Sequence, residues 1–189
     1  MGYVPKFIHF DHFINIKYPF GVHWEHRYIQ SSAEAIYDTY REDIEEGITI
    51  AFVTRGTSGA MIAGAILNEL HHIDSSTDAC ILIVRKDNDT SAHCSSLRGI
   101  EKLQEARFIV VDDFIQSGET IEAILKDLDN YFEIPFALNE KYDMLCISNF
   151  LDVGALKKNR CDDYRKWKRI CSRFEYVVCC PKPEQYDSI

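Results

Sequence analysis

Two adjacent aspartates, Asp112 and Asp113, follow an apolar run at 108–111. A polar loop containing Gly118 comes next, and helix-forming sequence follows it. Neighbouring residues of a strand point to opposite faces, so the two carboxylates can flank a ligand without opposing each other. The loop N–H groups and the positive end of the helix suit an anion such as phosphate. Because carboxylates repel phosphate, they fit sugar hydroxyls or a magnesium shell better, and the stretch predicts a phosphorylated sugar as ligand.

Two other interpretations of this acidic strand end are open. A P-loop nucleotide hydrolase also carries acids at the end of a strand, but it requires G-x-x-x-x-G-K-[ST], and the sequence has no such motif. The simpler alternative is a solvated strand end followed by an ordinary helix cap. The coincidence of two acids, a glycine loop and a helix start favours the ligand site.

The elements that must position these residues alternate along the chain. Helices are predicted between apolar strands of the kind that parallel sheets bury on both faces. The alternation predicts one α/β domain with a doubly wound, mainly parallel sheet flanked by helices. The predicted strands are 48–54, 79–84, 107–113, 142–149 and 175–180, and the predicted helices are 31–47, 60–70, 118–132 and 162–174.

The first thirty residues are rich in aromatic and β-branched types. They predict a strand at 7–16, a turn, and a returning strand at 22–29. SSAE at 31–34 has the spacing of a capping box, so the next helix is expected to begin there.

Two H-x-x-H sets in this segment could chelate a metal if they lay on a helix. They are His9 with His12 and His23 with His26. On strands, residues three apart face opposite sides, so packing within a hairpin is the prediction.

The bulk composition is that of a soluble globular protein. The 189 residues are 46% hydrophobic and 27% charged, and no apolar run is long enough to cross a bilayer. Seven cysteines without a C-x-x-C pair suit reduced thiols, which predicts a cytoplasmic location. The net charge of −9 argues against general attraction to nucleic acid.

The stretch IVVDDFIQSGET, at 109–120, resembles the phosphoribosyl pyrophosphate (PRPP) signature of type I phosphoribosyltransferases. TRGTSGA, at 54–60, looks like the pyrophosphate loop of that family. VRKDNDTSAHCSS, at 84–96, resembles its mobile catalytic loop, most closely in the orotate branch. The resemblance covers roughly residues 48–150 and rests on the order of the motifs.

The resemblance implies a Mg²⁺-dependent glycosyltransferase that moves ribose 5-phosphate from PRPP to a nucleobase-like nitrogen and releases pyrophosphate. It implies a magnesium shell at Asp112 and Asp113 and no other direct protein ligand to the metal. The catalytic residues would be Asp112, Asp113, Arg85, Lys86 and His93. The 5′-phosphate loop would be Phe114, Ile115, Gln116, Ser117, Gly118, Glu119 and Thr120. The pyrophosphate loop would be Arg55, Gly56, Thr57, Ser58 and Gly59.

Three residues depart from the family pattern. Gln116 stands where enzymes for 6-oxopurines carry an aspartate that binds the base, which disfavours hypoxanthine and guanine as acceptors. Asp89 stands where an orotate-type loop more often has a second lysine. Glu119 brings a carboxylate into the phosphate loop, where it suits the helix N-terminus by about 0.3–1 kcal/mol but must point away from the phosphate.

The domain organisation follows from the same resemblance. Residues 1–189 are expected to form a single domain with its core at about 31–150. A small hood over the base would come from 1–30 and 151–189, and a homodimer is expected by analogy with the family.

The segment 157–173 is unusually basic for this acidic chain. It predicts a helix with Tyr164, Trp167, Ile170 and Phe174 facing the core and with cations on its other side. Such a face is usually solvated, but it could also contact nucleic acid or a protein partner. With Gln116 and Glu119, it leaves open a second function, that of a PRPP-sensing regulator without turnover.

Overall fold

The computed structural model describes residues 6–9, 26–84, 103, 105–112, 118–131, 142–146, 169–170 and 172–179. Six strands in this part form one sheet in the order β1-β6-β5-β4-β2-β3, and every neighbouring pair is parallel. The strands are β1 (Lys6–His9), β2 (Ile50–Thr54), β3 (Ala79–Ile83), β4 (Arg107–Asp112), β5 (Tyr142–Cys146) and β6 (Phe174–Cys179). The helices are α1 (His26–Thr39), α2 (Arg41–Glu45), α3 (Thr57–Ile73) and α4 (Glu119–Tyr131).

Helices cover both faces of the sheet, and each face has its own apolar cluster. On one side, α1, α2 and α3 pack on strand residues such as Phe52 and Ile109. On the other side, α4 packs on their strand neighbours Val53 and Val110. Both clusters are buried, which explains why β2 and β4 consist of continuous apolar runs rather than alternating ones. The doubly wound α/β prediction is confirmed.

The prediction for residues 22–29 is wrong in its described part, because α1 already begins at His26. Apolar residues recur here at helical spacing and pack in the same cluster as α3; they are Ile29, Ala33, Ile36 and Tyr40. Consequently the capping-box interpretation of residues 31–34 is also wrong, because these residues lie inside the helix. The predicted helical stop at Gly47 is right: Gly47 has φ 76°, a conformation that glycine adopts without strain.

The first and last described strands are neighbours in the sheet. β1 pairs with β6, with Lys6 opposite Tyr176, and β6 lies between β1 and β5. Parts of both hood candidates, 6–9 and 174–179, are therefore strands of the sheet. Of the H-x-x-H residues, His12 and His23 lie outside the described part of the chain, as do other parts of the hood candidates. His26 lies on α1, so the strand assumption does not hold for that residue.

Only the end of the predicted basic helix is described. Residues 169–170 are helical, 172–173 form a turn, and β6 starts at Phe174, so the predicted helix ends too late. Residues 169–170 and 172–173 are called the docking segment here. Ile170 and Phe174 are buried, as predicted for both, at 2% and 0% exposure. Tyr164 and Trp167 lie outside the described residues.

None of the helices in the described ranges is both long enough and apolar enough to cross a membrane.

Candidate functional site

The order of the strands places a crevice between β2 and β4. From β2 the chain runs through α3 to β3 on one side, whereas from β4 it runs through α4 to β5 on the other side. β2 and β4 are direct neighbours, with Thr54 opposite Val111. The two connections therefore diverge at this point of the carboxyl edge. Ligands of open α/β sheets bind in the crevice that such a divergence creates.

The turn from β2 into α3 forms one wall of this crevice. Gly56 precedes the helix with φ 97° and ψ 173°, a conformation that residues with a side chain rarely adopt. No side chain caps the N-terminus of α3, and the first helical bond runs from the Ala60 N–H to the Gly56 carbonyl at 3.3 Å. The first-turn N–H groups of Thr57, Ser58 and Gly59 thus begin the helix at the crevice, where such groups favour an anion.

Gly59 brings α3 close to the strand ends. A Cβ atom at this position would overlap Thr54 Oγ1 and would lie 3.0 Å from the Val111 carbonyl oxygen. Gly59 is itself buried, so a side chain at this position would fit only if α3 moved away from the sheet and lost packing. The absence of a side chain at residue 59 therefore fixes how closely the α3 N-terminus approaches β2 and β4.

Thr54 contributes a hydroxyl that was not among the predicted site residues, although the motif TRGTSGA begins with this residue. The residue is fully buried, and its Oγ1 has no hydrogen-bond partner in the described part of the chain. A buried hydroxyl without a partner costs about 1–3 kcal/mol relative to a satisfied one. Its place directly before the candidate pyrophosphate loop would have been visible in the sequence, but its burial and lack of a partner would not.

The second wall of the crevice comes from β4 and α4. Asp112 is the last residue of β4, is 8% exposed, and lies opposite Cys146 of β5. Val110 and Asp112 alternate with Val111 along the strand, which places Asp112 on the α4 side of the sheet. A carboxylate at the carboxyl edge is therefore buried next to the turn that leads into α4.

The start of α4 has the second glycine with a positive φ near this edge. Gly118 has φ 75° and is buried, and its carbonyl accepts a hydrogen bond of 2.9 Å from the Glu122 N–H. Glu119 in the first turn of α4 is exposed. The N-termini of α3 and α4 thus approach the same edge from opposite faces of the sheet.

The structure brings together nine of the residues that the sequence singled out. They lie at the carboxyl edge of β2 and β4, and they are Arg55, Gly56, Thr57, Ser58, Gly59, Asp112, Gly118, Glu119 and Thr120. The other candidates, Arg85, Lys86, His93, Asp113, Phe114, Ile115, Gln116 and Ser117, lie outside the described residues. No cluster of three or more metal-binding side chains occurs within the described ranges.

A different group of polar residues lies at the amino edge of the sheet. The Tyr40 hydroxyl donates to Asp143 Oδ2 at 2.5 Å, and the Tyr176 N–H donates to Asp143 Oδ1 at 2.9 Å. Burial raises the pKa of Asp143 to about 6, although these two hydrogen bonds act in the opposite direction. Burial, reinforced by the Asp143 charge, also raises the pKa of Tyr40.

An ion pair borders this buried group. Arg107 at the start of β4 donates two hydrogen bonds to the Asp43 carboxylate of α2, at 2.8 and 2.9 Å. These hydrogen bonds raise the pKa of Arg107. None of these residues was predicted to be functional. Their contacts connect α2, β4, β5 and β6, with Tyr40 at the junction of α1 and α2.

Comparison with known families gives one match. The model of the phosphoribosyl transferase domain family matches residues 23–131, which is more than half of the chain. The matched range includes β2, β3 and β4 and both walls of the crevice. None of the curated proteins matches the sequence.

Solved structures similar to this chain include a hypoxanthine phosphoribosyltransferase of Trypanosoma cruzi. That similarity has a TM-score of 0.45 and 12% identity, and covers 83% of this chain and 77% of that one. A complex of the same enzyme with the product IMP gives a TM-score of 0.46 and 12% identity over 67% and 62% of the two chains. A purine phosphoribosyltransferase from Pyrococcus horikoshii gives a TM-score of 0.40 and 15% identity over 65% and 73%.

Proposed function

The chain belongs to the phosphoribosyl transferase family, a family of glycosyltransferases, and we propose that it transfers ribose 5-phosphate from PRPP to a nucleobase-like nitrogen acceptor with release of pyrophosphate. One observation carries the proposal. Two helix N-termini, each preceded by a glycine with positive φ, approach the β2–β4 crevice from opposite faces, with the buried Asp112 at the same edge. PRPP has two phosphate groups at opposite ends of one ribose, and this arrangement offers an anion site for each.

The pyrophosphate group is assigned to Arg55, Gly56, Thr57, Ser58 and Gly59. The uncapped N–H groups at the start of α3 would donate to its oxygens, and Arg55 would add a positive charge. Negative charge grows on this group as the bond to the sugar breaks. Donors that are already in place therefore stabilise the transition state more than the ground state.

The 5′-phosphate is assigned to the loop that ends at α4. Its residues are Phe114, Ile115, Gln116, Ser117, Gly118, Glu119 and Thr120, and Gly118 with the α4 N-terminus supports the assignment. Asp112 and Asp113 would accept hydrogen bonds from the ribose hydroxyls. Their negative charge would lie near the ribose ring, on which positive charge develops as pyrophosphate leaves.

Magnesium fits the donor set at this edge. Asp112 and Asp113 offer hard carboxylate oxygens, and Mg²⁺ is usually held by one or two carboxylates together with substrate phosphates and water. Bound there, the ion would neutralise negative charge on the pyrophosphate. Substrate phosphates and water would supply the other ligands.

The reaction is a substitution at C1 of the ribose. A nitrogen lone pair of the acceptor forms the new bond to C1, the bond from C1 to the pyrophosphate oxygen breaks, and pyrophosphate leaves with its electron pair. The N–H proton that the acceptor loses passes to water or to pyrophosphate. Arg85, Lys86 and His93 are proposed to close over the pyrophosphate and exclude water, which would otherwise hydrolyse PRPP. Gln116 in place of the aspartate of 6-oxopurine enzymes disfavours hypoxanthine and guanine as acceptors.

The proposal is tested by the release of pyrophosphate from PRPP. The protein is mixed with PRPP and each member of a panel of bases, with and without Mg²⁺, and pyrophosphate is measured. Release that depends on one base and on Mg²⁺ is expected. Folded protein that neither releases pyrophosphate nor binds PRPP at millimolar concentration would refute the proposal.

A second candidate function is PRPP binding without turnover. The exposed Glu119 carboxylate in the first turn of α4 favours it, because a negative charge next to the phosphate loop is unusual for the family. Saturable PRPP binding with no release of pyrophosphate for any base would support this candidate.

A further inference from the structure

The docking segment lies directly against the first turns of α4. Ile170 is 2% exposed and belongs to the apolar cluster between α4 and the sheet. Arg169 donates to Glu122 Oε1 at 2.5 Å, and Arg173 donates to both carboxylate oxygens of Asp129, at 2.6 and 3.1 Å. Two cations of the basic segment 157–173 are thus paired within the chain, and both partners are on α4.

Ile170 contacts the glycine that opens α4. A Cβ atom on Gly118 would lie only 2.6 Å from Ile170 Cδ1, which is far shorter than a van der Waals contact. The φ of 75° favours glycine at this position, and a side chain at residue 118 would also displace the end of the Ile170 side chain. The same geometry means that the Ile170 side chain limits how far Gly118 can move toward it.

The ion pair of Arg169 acts on the same turn. The N–H of Glu122 donates to the Gly118 carbonyl, which closes the first turn of α4, and the carboxylate of Glu122 accepts from Arg169. Ile170 and Arg169 therefore hold the two ends of one helical turn. The pair between Arg173 and Asp129 lies about two turns farther along α4, near its other end.

We propose that Ile170, assisted by Arg169, is a positioning residue for the 5′-phosphate subsite and acts through its contact with Gly118. The inference rests on the proposed function, because it takes the turn at Gly118 as the place where the 5′-phosphate binds. Binding donors must be held to within a fraction of an ångström to be effective, and loops need a packed shell to achieve this. The docking segment provides such packing from a part of the chain that is distant in sequence.

The first test is Ile170→Val, which deletes the Cδ1 methyl that contacts Gly118. Ile124→Val is the matched control, because Ile124 is fully buried in the same cluster and belongs to α4 itself. Both variants should lower the melting temperature by a similar few degrees. Calorimetric titrations of the full chain with ribose 5-phosphate, PRPP and inorganic pyrophosphate, with Mg²⁺ present, separate the effects on the two anion sites.

Ile170→Val is expected to weaken ribose 5-phosphate and PRPP about three- to tenfold and to leave the affinity for pyrophosphate unchanged. Ile124→Val should leave all three affinities unchanged. Unchanged ribose 5-phosphate binding in Ile170→Val overturns the inference, and so does an equal loss of pyrophosphate binding. A wild-type protein that binds none of the three ligands refutes the proposed function itself, and the inference with it.

The second test compares the two ion pairs. Arg169→Gln should weaken the affinity for ribose 5-phosphate about two- to threefold, because it removes the ion pair with Glu122 in the first turn of α4. Arg173→Gln removes a pair of the same kind near the other end of the helix and should leave ligand binding unchanged. Equal effects of the two variants on ribose 5-phosphate affinity would show that the docking segment stabilises α4 as a whole, and would overturn a specific role at the phosphate subsite.

Discussion

The two edges of the sheet use similar residues in opposite ways. Asp112 at the carboxyl edge and Asp143 at the amino edge lie on neighbouring strands and are almost equally buried, at 8% and 7% exposure. Around Asp143, a tyrosine hydroxyl, a backbone N–H and a nearby ion pair connect α2, β4, β5 and β6. At the carboxyl edge, α3 has no side-chain cap and the Thr54 hydroxyl has no described partner. The described contacts at the amino edge join elements of the fold, whereas the proposed function assigns the polar groups of the carboxyl edge to a ligand.

The largest expected effect concerns the stability contributed by Asp143. Its folded-state pKa of about 6 lies above the unfolded value of about 3.9, so the folded protein binds this proton more tightly. The resulting stabilisation is fully present below about pH 4 and is lost as the pH rises through about 6, a change of about 3 kcal/mol. The free energy of unfolding, measured with urea at pH 4.5 and pH 7, should show this pH dependence in the wild type but not in Asp143→Asn. An identical pH dependence in both proteins would contradict the assignment.

The next effect distinguishes the two edges by ligand binding. Asp112→Asn should weaken PRPP about ten- to a hundredfold, because a hydrogen bond to a charged group contributes about 1.5–3 kcal/mol. Asp143→Asn makes the same chemical change on the adjacent strand and should leave PRPP affinity unchanged. Calorimetric titration of both variants provides the measurement. Equal losses, or none in either variant, would abolish the functional difference between the edges.

A third prediction concerns the close approach of α3 to the crevice. Gly59→Ala should destabilise the protein by about 1–3 kcal/mol and weaken pyrophosphate binding, because the new methyl group overlaps Thr54 and approaches the Val111 carbonyl. Gly64→Ala is the control within the same helix. An added Cβ at residue 64 meets only Ile81 Cδ1, at 3.9 Å, so the free energy of unfolding of this variant should rise by about 0.5–1 kcal/mol. Thermal unfolding and pyrophosphate titration of both variants test the prediction. Unchanged stability and unchanged pyrophosphate affinity in Gly59→Ala would show that the packing around residue 59 is not tight.

The smallest expected effect tests the unpartnered hydroxyl. Thr54→Val keeps the shape of the side chain and removes a buried polar atom, so it should stabilise the ligand-free protein by about 1 kcal/mol. Chemical unfolding without ligand provides the measurement, and Thr54→Ser, which retains the hydroxyl, is the control. Destabilisation by Thr54→Val would mean that the hydroxyl is satisfied after all, and that the carboxyl edge resembles the amino edge in this respect.

Local patterns made much of the fold predictable. The apolar runs that became β2 and β4 are buried on both faces, and the sequence signals for Gly47 and for the helix after Gly118 agree with the structure. The prediction was wrong where two local patterns competed. Aromatic residues near 22–29 suggested a strand, but the helical spacing of Ile29, Ala33 and Ile36 determines the structure, because it buries one face against α3.

Tertiary contacts explain what the sequence could not predict at the candidate site. The motifs predicted that Gly118 and Gly59 belong to phosphate-binding loops, but they did not predict which residues pack against these glycines. Ile170 is far from Gly118 in sequence, and no periodic pattern relates the two. Likewise, the burial of Thr54 depends on how closely α3 approaches β2, and that distance is set by packing rather than by propensity.

The position of β6 between β1 and β5 has a consequence for how the chain folds as it is made. Of the described strands, β1 is synthesised first, yet its neighbour in the sheet, β6, is synthesised last. β2 can pair with β3 and β4 before β6 is synthesised, so the crevice can form on a nascent chain in which β1 is still unpaired. The strand that is translated first is thus among the last to join the sheet.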